Sequence, residues 1–166
     1  CMVLVELLNA IRLSRIALHA RTGKQQYKGH PDLEAFQGFY ELCQHPLYYN
    51  GGIESLSDIR QILIRFPLLK GVFIGRGLLS SPLLAKEFKG NETFLPEQRM
   101  SIYFAFHEEL FSAYSQVLQG ETQLLVKMKT LWEYFLPETD RKLLKRIKKS
   151  TRLQQYTESV KAIFTS

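Results

Sequence analysis

Three short apolar runs, each followed by a polar or glycine-bearing turn and separated by helix-patterned segments, constrain this chain more than any other feature. They are Ile16-Ala17-Leu18, Pro46-Leu47-Tyr48-Tyr49 and Gly71-Val72-Phe73-Ile74. Short runs that are apolar at consecutive positions and bounded by turn residues fit strands of a parallel sheet covered on both faces. Between the first two, Leu33, Phe36, Phe39, Tyr40 and Cys43 keep helical spacing from about Pro31. Between the second and third, Ser55 as N-cap and Asp58 three residues on predict a capped helix, with Leu56, Ile59, Ile62, Leu63 and Phe66 as its apolar stripe and Pro67 as its end. A leading helix with Val3, Leu7, Leu8 and Ile11 on one face feeds the first strand. A short helix opened by Ser81-Pro82 and terminated by Gly90 follows the third. Strand and helix alternate in this way through residue 90, the pattern of right-handed βαβ units.

After about Pro96 the strand patterns stop. Met100, Tyr103, Phe104, His107, Leu110, Phe111, Tyr114, Val117 and Leu118 hold helical spacing up to Gly120. Three further amphipathic segments follow, around Leu124 to Trp132, Leu143 to Ile147 and Leu153 to Phe164. The expected fold class is therefore α/β plus all-α, with an antiparallel helical bundle at the C-terminal end. The expected domains are 1–92 and 93–166, divided within Lys89 to Pro96.

The 166 residues suffice for one domain or two small ones, and fall short of the about 250 residues of a complete β/α barrel. A net charge of +6 suits a polyanionic partner only if the charge is clustered. It clusters in Arg141, Lys142, Lys145, Arg146, Lys148, Lys149 and Arg152, interleaved with Leu143, Leu144 and Ile147, so that one helix buries one side and presents a basic face. Such a face contacts nucleic-acid phosphates or is simply solvated. Two cysteines, Cys1 and Cys43, form no disulfide framework and no metal-ligand spacing, so no metal is expected. No apolar run approaches the roughly 18 residues of a membrane span, and no signal peptide is evident. A cytoplasmic protein without membrane association is the expectation.

Turns after parallel strands lie at the C-terminal edge of a sheet, where the last loops of a β/α barrel commonly cradle phosphate. Asn50-Gly51-Gly52 and Gly75-Arg76-Gly77 are two such turns, one βα unit apart. Glycine lets backbone N–H groups approach an oxyanion, and Arg76 adds a fork of donors. On the residues alone they are equally well ordinary strand-terminating turns. His19 and Arg21 follow the first strand and would share that edge, either as cofactor and substrate contacts or as a structural histidine and a solvated arginine. His107 and Trp132 fall on apolar stripes and are expected in the core.

The run His19-Ala20-Arg21-Thr22, followed by Gln25-Gln26-Tyr27-Lys28-Gly29, resembles the signature of tRNA-dihydrouridine synthases. Tyr49-Asn50-Gly51-Gly52-Ile53 and Gly71-Val72-Phe73-Ile74-Gly75-Arg76-Gly77 resemble two more motifs of that family, in order, and Pro82-Leu83-Leu84 continues the last. Gly120-Glu121, Lys127-Met128-Lys129 and Trp132-Glu133-Tyr134 resemble its helical domain. The resemblance implies a partial TIM barrel, the last three parallel β/α units, followed by a helical tRNA-binding domain. It implies an FMN enzyme that uses NADPH to reduce uridine in tRNA to 5,6-dihydrouridine. By motif position, Asn50, Gly51, Gly52, Gly75 and Arg76 would hold the FMN phosphate, His19 would contact the flavin, and Arg21 would lie near the substrate entrance. Lys145, Arg146, Lys148 and Lys149 would grip tRNA.

Gly52 stands where the family usually has an acidic residue. Neither Cys1 nor Cys43 matches the family's catalytic cysteine, which belongs to an earlier barrel strand, so no catalytic residue is expected in this chain. The chain is expected to be the C-terminal portion of a longer enzyme, inactive alone, and to self-associate or swap strands to cover its sheet edges. A non-catalytic RNA-binding or assembly module derived from the family is the alternative, and another phosphate-binding flavin barrel is a third reading.

Overall fold

The computed structural model describes residues 2–25 and 29–165. Cys1 and residues 26–28, part of the glutamine and tyrosine loop, lie outside them. The chain divides into two compact units, Cys1–Leu78 and Leu79–Ser166.

In the first unit, α1 (Met2–Asn9) leads to β1 (Ile16–Leu18), α2 (Leu33–Leu42) to β2 (Leu47–Asn50), and α3 (Leu56–Arg65) to β3 (Gly71–Phe73). The strands form one parallel sheet in the order β1-β2-β3, with Leu18 opposite Tyr49 and Asn50 opposite Phe73. This is the expected alternation, compatible with part of a β/α barrel. Helix α2 begins where the Asp32 carboxylate accepts the Ala35 N–H at 2.9 Å. Helix α3 begins at a full capping box: Ser55 Oγ accepts the Asp58 N–H at 3.1 Å, and Asp58 Oδ2 accepts the Ser55 N–H at 2.8 Å. Between these helices and the sheet lies an aromatic core. The Phe36 ring meets Tyr49 and Phe66 edge-on, each at 4.9 Å between centroids.

Helix α1 departs from its expected face. Val5 is fully buried, whereas Val3 (71 %), Leu7 (64 %) and Ile11 (52 %) are exposed. The segment is apolar on more than one side, so its periodicity does not select a face. The C-terminal end of α1 is fixed by polar bonds instead: Asn9 Nδ2 donates to Leu42 O at 2.8 Å, and His45 Nε2 donates to Leu8 O at 2.9 Å.

Helix α4 (Arg76–Ser80) was not expected, and it carries the chain across the division between the units. Helix α5 (Leu84–Gly90) ends on Gly90 as expected, and Asn91 after it, with a left-handed φ of 48°, caps the last turn. Residues 79–92 cluster with the second unit. Leu83 joins the core there, the Ser81 and Tyr103 hydroxyls are 2.6 Å apart, and the Glu87 carboxylate, only 4 % exposed, pairs with both terminal nitrogens of Arg99. These bonds tie residues 79–92 to the second compact unit.

The second unit continues with α6 (Pro96–Val117), α7 (Glu121–Leu131), α8 (Arg141–Lys149) and α9 (Leu153–Phe164). Pro96 opens α6, and Gln98 Oε1 accepts the Leu95 N–H at 3.0 Å. Met128, Phe135, Ile147, Tyr156 and Val160 form the center of a shared core, at 0–1 % exposure. Each such side chain contributes about 1.5–3 kcal/mol of burial. Three polar groups are buried with them as a closed set. Trp132 Nε1 donates to Tyr156 Oη at 3.0 Å, and Tyr156 Oη lies 2.7 Å from His107 Nε2. Glu108 Oε1 is 3.1 Å from His107 Nδ1. The Glu108 carboxylate only accepts, so a neutral His107 keeps its proton on Nδ1 toward Glu108 and Nε2 accepts from the tyrosine hydroxyl. Burial lowers the His107 pKa below its ordinary value, against the pull of Glu108, which fits this neutral tautomer. His107 and Trp132 are thus core residues, as their stripes predict. No described helix is long and apolar enough to cross a membrane.

Candidate functional site

The parallel order brings the ends of β1, β2 and β3 to one edge of the sheet. At that edge His19 Nδ1 donates to the carbonyl of Asn50, the last residue of β2, at 2.7 Å. A carbonyl only accepts, so the bond fixes the proton on Nδ1 and leaves Nε2 as the ring atom that a ligand can use. His19 is exposed.

The two glycine turns abut. A Cβ added to buried Gly77 would lie 2.3 Å from the carbonyl oxygen of Ile53, so only glycine lets the start of α4 approach the loop after β2 this closely. Gly52 takes a left-handed φ of 53°. A Cβ on Gly51 would lie 2.8 Å from Pro31 Cγ and 2.9 Å from Tyr49 Oη, so that turn rests directly on those two side chains. At Gly75 an added Cβ meets nothing within 4 Å. Space open at Gly75 and a guanidinium at Arg76 suit an anionic group, with His19 after β1 on the same edge of the sheet. His19, Asn50, Gly51, Gly52, Gly75 and Arg76 therefore come together at one edge.

Arg21 is half-buried and its Nε is buried outright. Burial pushes the Tyr49 phenol above its usual range, the Arg21 charge pulls it back, and Asp58 adds to the rise. Sequence reasoning placed Gly77 in the third-strand turn and Tyr49 in the second motif without giving either a task, and it passed over Pro31 as part of this edge. The Gly-Arg-Gly spacing was the available signal for Gly77. Nothing local marks Pro31, because its role comes from the return of the chain after the loop.

In the second unit, Lys142, Lys145, Arg146 and Lys149 line an open groove with Ser150, Gln155, Glu158 and Ser159. Arg141, Lys142, Lys145, Arg146, Lys148 and Lys149 are exposed, while Ile147 is fully buried. Asp140 caps α8, its Oδ1 accepting the Lys142 N–H at 2.8 Å. Two other lysines serve the fold: Lys129 Nζ donates to Ser150 O at 2.8 Å, capping α8, and Lys127 lies over the Tyr114 ring.

Comparison with known proteins points to one family. The family model described as Dihydrouridine synthase (Dus) matches residues 1–165. A probable tRNA-dihydrouridine synthase of Aquifex aeolicus (strain VF5) is 34% identical over 86 residues, 52% of this chain and 27% of that protein. Another from Rhizobium leguminosarum bv. phaseoli is 36% identical over 67 residues, 40% of this chain and 21% of that protein. The matched segments thus span about a quarter of the length of these relatives. Strand order, glycine turns and the family match together show that this chain belongs to the dihydrouridine synthase family.

Proposed function

We propose that this chain is the phosphate-gripping and tRNA-gripping end of an FMN-dependent tRNA-dihydrouridine synthase that draws its electrons from NADPH. The observation that carries the reading is the meeting of His19, Asn50 and the two glycine turns at one sheet edge. Backbone N–H groups of Gly51, Gly52 and Gly75 and the Arg76 guanidinium hold the FMN phosphate, and His19 meets the flavin through Nε2. The residues fit the group: the backbone is bare at Gly75, and a fork of donors stands next to it. When bound, the reduced flavin supplies the hydride for uracil reduction. The proton donor belongs to a part of the enzyme outside this chain, so residues 1–166 alone are inactive.

Residues 1–92 are the barrel portion and residues 93–166 an antiparallel helical tRNA-binding domain. Lys145, Arg146, Lys148 and Lys149 neutralise tRNA phosphates through the basic face of α8. The exposed apolar side of α1, with Val3, Leu7 and Ile11, supports packing against further barrel elements in the full-length enzyme and self-association of the isolated chain. A tRNA substrate supports a cytoplasmic location.

The test is flavin titration of the full-length enzyme. Arg76→Ala weakens FMN binding about tenfold or more on this reading. Unchanged FMN affinity favours a non-catalytic RNA-binding or assembly module.

A further inference from the structure

We infer that Tyr49 and Pro31 form the seat of the Gly51-Gly52 turn, and that Arg21 is a positioning residue acting on that seat rather than a contact to the substrate. The inference rests on the proposed FMN-phosphate site and assigns tasks to residues beneath it.

Alternation along β2 turns Leu47 and Tyr49 to the helix-covered side, where both are buried. The Tyr49 ring packs edge-on against Phe36, and its hydroxyl reaches back beneath Gly51. Pro31 lies against both glycines: a Cβ on Gly51 would meet its Cγ at 2.8 Å, and one on Gly52 its Cδ at 3.3 Å. The position of Pro31 is set by the strand that carries His19, because the Asp32 N–H donates to Ala20 O at 2.8 Å. On the far side, Asp58 Oδ2 accepts the N–H groups of Glu54 and Ser55 at 2.9 and 2.8 Å, pinning the end of the same loop. The turn is therefore held from below and from its exit, and its conformation is fixed before any ligand arrives.

Arg21 belongs to this support. Its Nε is buried, so the side chain turns into the protein, and the Tyr49 phenol feels its charge together with that of Asp58. The buried Nε sets Arg21 apart from the arginines of α8, which are exposed. Arg21 and Asp58 both act on the phenol that lies beneath the Gly51-Gly52 turn.

The experiment uses the full-length enzyme with Arg21→Ala, Arg21→Lys, Tyr49→Ala and Arg76→Ala. For each, FMN affinity is read from flavin fluorescence, tRNA affinity from filter binding, and folding of the apoprotein from its melting temperature. Arg21→Ala and Tyr49→Ala raise the FMN dissociation constant about tenfold, leave tRNA affinity within about twofold, and Arg21→Lys recovers most of the loss. Arg21→Ala that weakens tRNA binding and leaves FMN binding intact overturns the inference. So does a variant that only melts earlier while binding FMN normally. Should Tyr49→Ala fail to fold, the two Arg21 variants decide. If Arg76→Ala also leaves FMN binding unchanged, the underlying phosphate-site reading fails. If Arg76→Ala alone weakens it, the site stands and only the inference is lost.

Discussion

His19 donates its Nδ1 proton to the carbonyl of Asn50 across the ends of adjacent parallel strands, at 2.7 Å. One bond joins two motifs separated by a whole βα unit and sets the tautomer of the ring. In the full-length enzyme, His19→Ala is expected to raise the FMN dissociation constant several-fold, to about tenfold, without a change in tRNA affinity. Flavin fluorescence titration measures this, and wild-type affinity would remove His19 from the cofactor site.

The glycines of the third-strand turn differ sharply in what surrounds them, and the difference is testable. Gly77→Ala drives a Cβ to 2.3 Å from Ile53 O and is expected to cost about 2 kcal/mol of stability. Gly75→Ala meets nothing within 4 Å and is expected to leave stability within about 0.5 kcal/mol while weakening FMN binding. Chemical denaturation separates the two, and equal losses would contradict the packing described here.

Nucleic-acid binding through the basic face of α8 depends on salt. Replacing Lys145, Arg146, Lys148 and Lys149 together with alanine should reduce the slope of log affinity for tRNA against log salt by about 3. An unchanged slope would move the tRNA surface elsewhere.

Acid should loosen the helical unit. His107 is neutral in its buried set, with a pKa below the ordinary 6.5, so the unfolded chain takes up its proton first as pH falls. Stability from this residue is complete above about pH 6.5 and declines from there until the lowered folded pKa is passed. His107→Phe flattens that decline. Tyr156→Phe removes the partner of both Trp132 Nε1 and His107 Nε2 and costs about 1–3 kcal/mol at neutral pH. Urea melts between pH 5 and 8 read both effects.

Much of this architecture is legible in the residues. The Ser55 and Asp58 capping box, the three strand runs and the α6 to α9 stripes rest on local chemistry, and each appears where local chemistry puts it. Three features escaped because tertiary context decides them. The buried face of α1 is chosen by what packs on Val5, since apolar side chains surround the helix. Helix α4 occupies five residues that read as a turn followed by an apolar stretch. The left-handed cap of α5 falls on Asn91, one residue past Gly90, with φ of 48°. The candidate site was half legible: glycines and Arg76 announce a phosphate turn, while the seat beneath it, Pro31 and Tyr49, exists only once the chain has folded back.

The central claim is that this chain grips the phosphate of a flavin. Its most direct measurement is the ratio of FMN to riboflavin affinity in the full-length enzyme, with and without Arg76→Ala. The two ligands differ only in the phosphate. The account predicts that the enzyme prefers FMN by about tenfold or more and that Arg76→Ala removes most of the preference while leaving riboflavin affinity unchanged. An identical preference in the Arg76→Ala enzyme would contradict it.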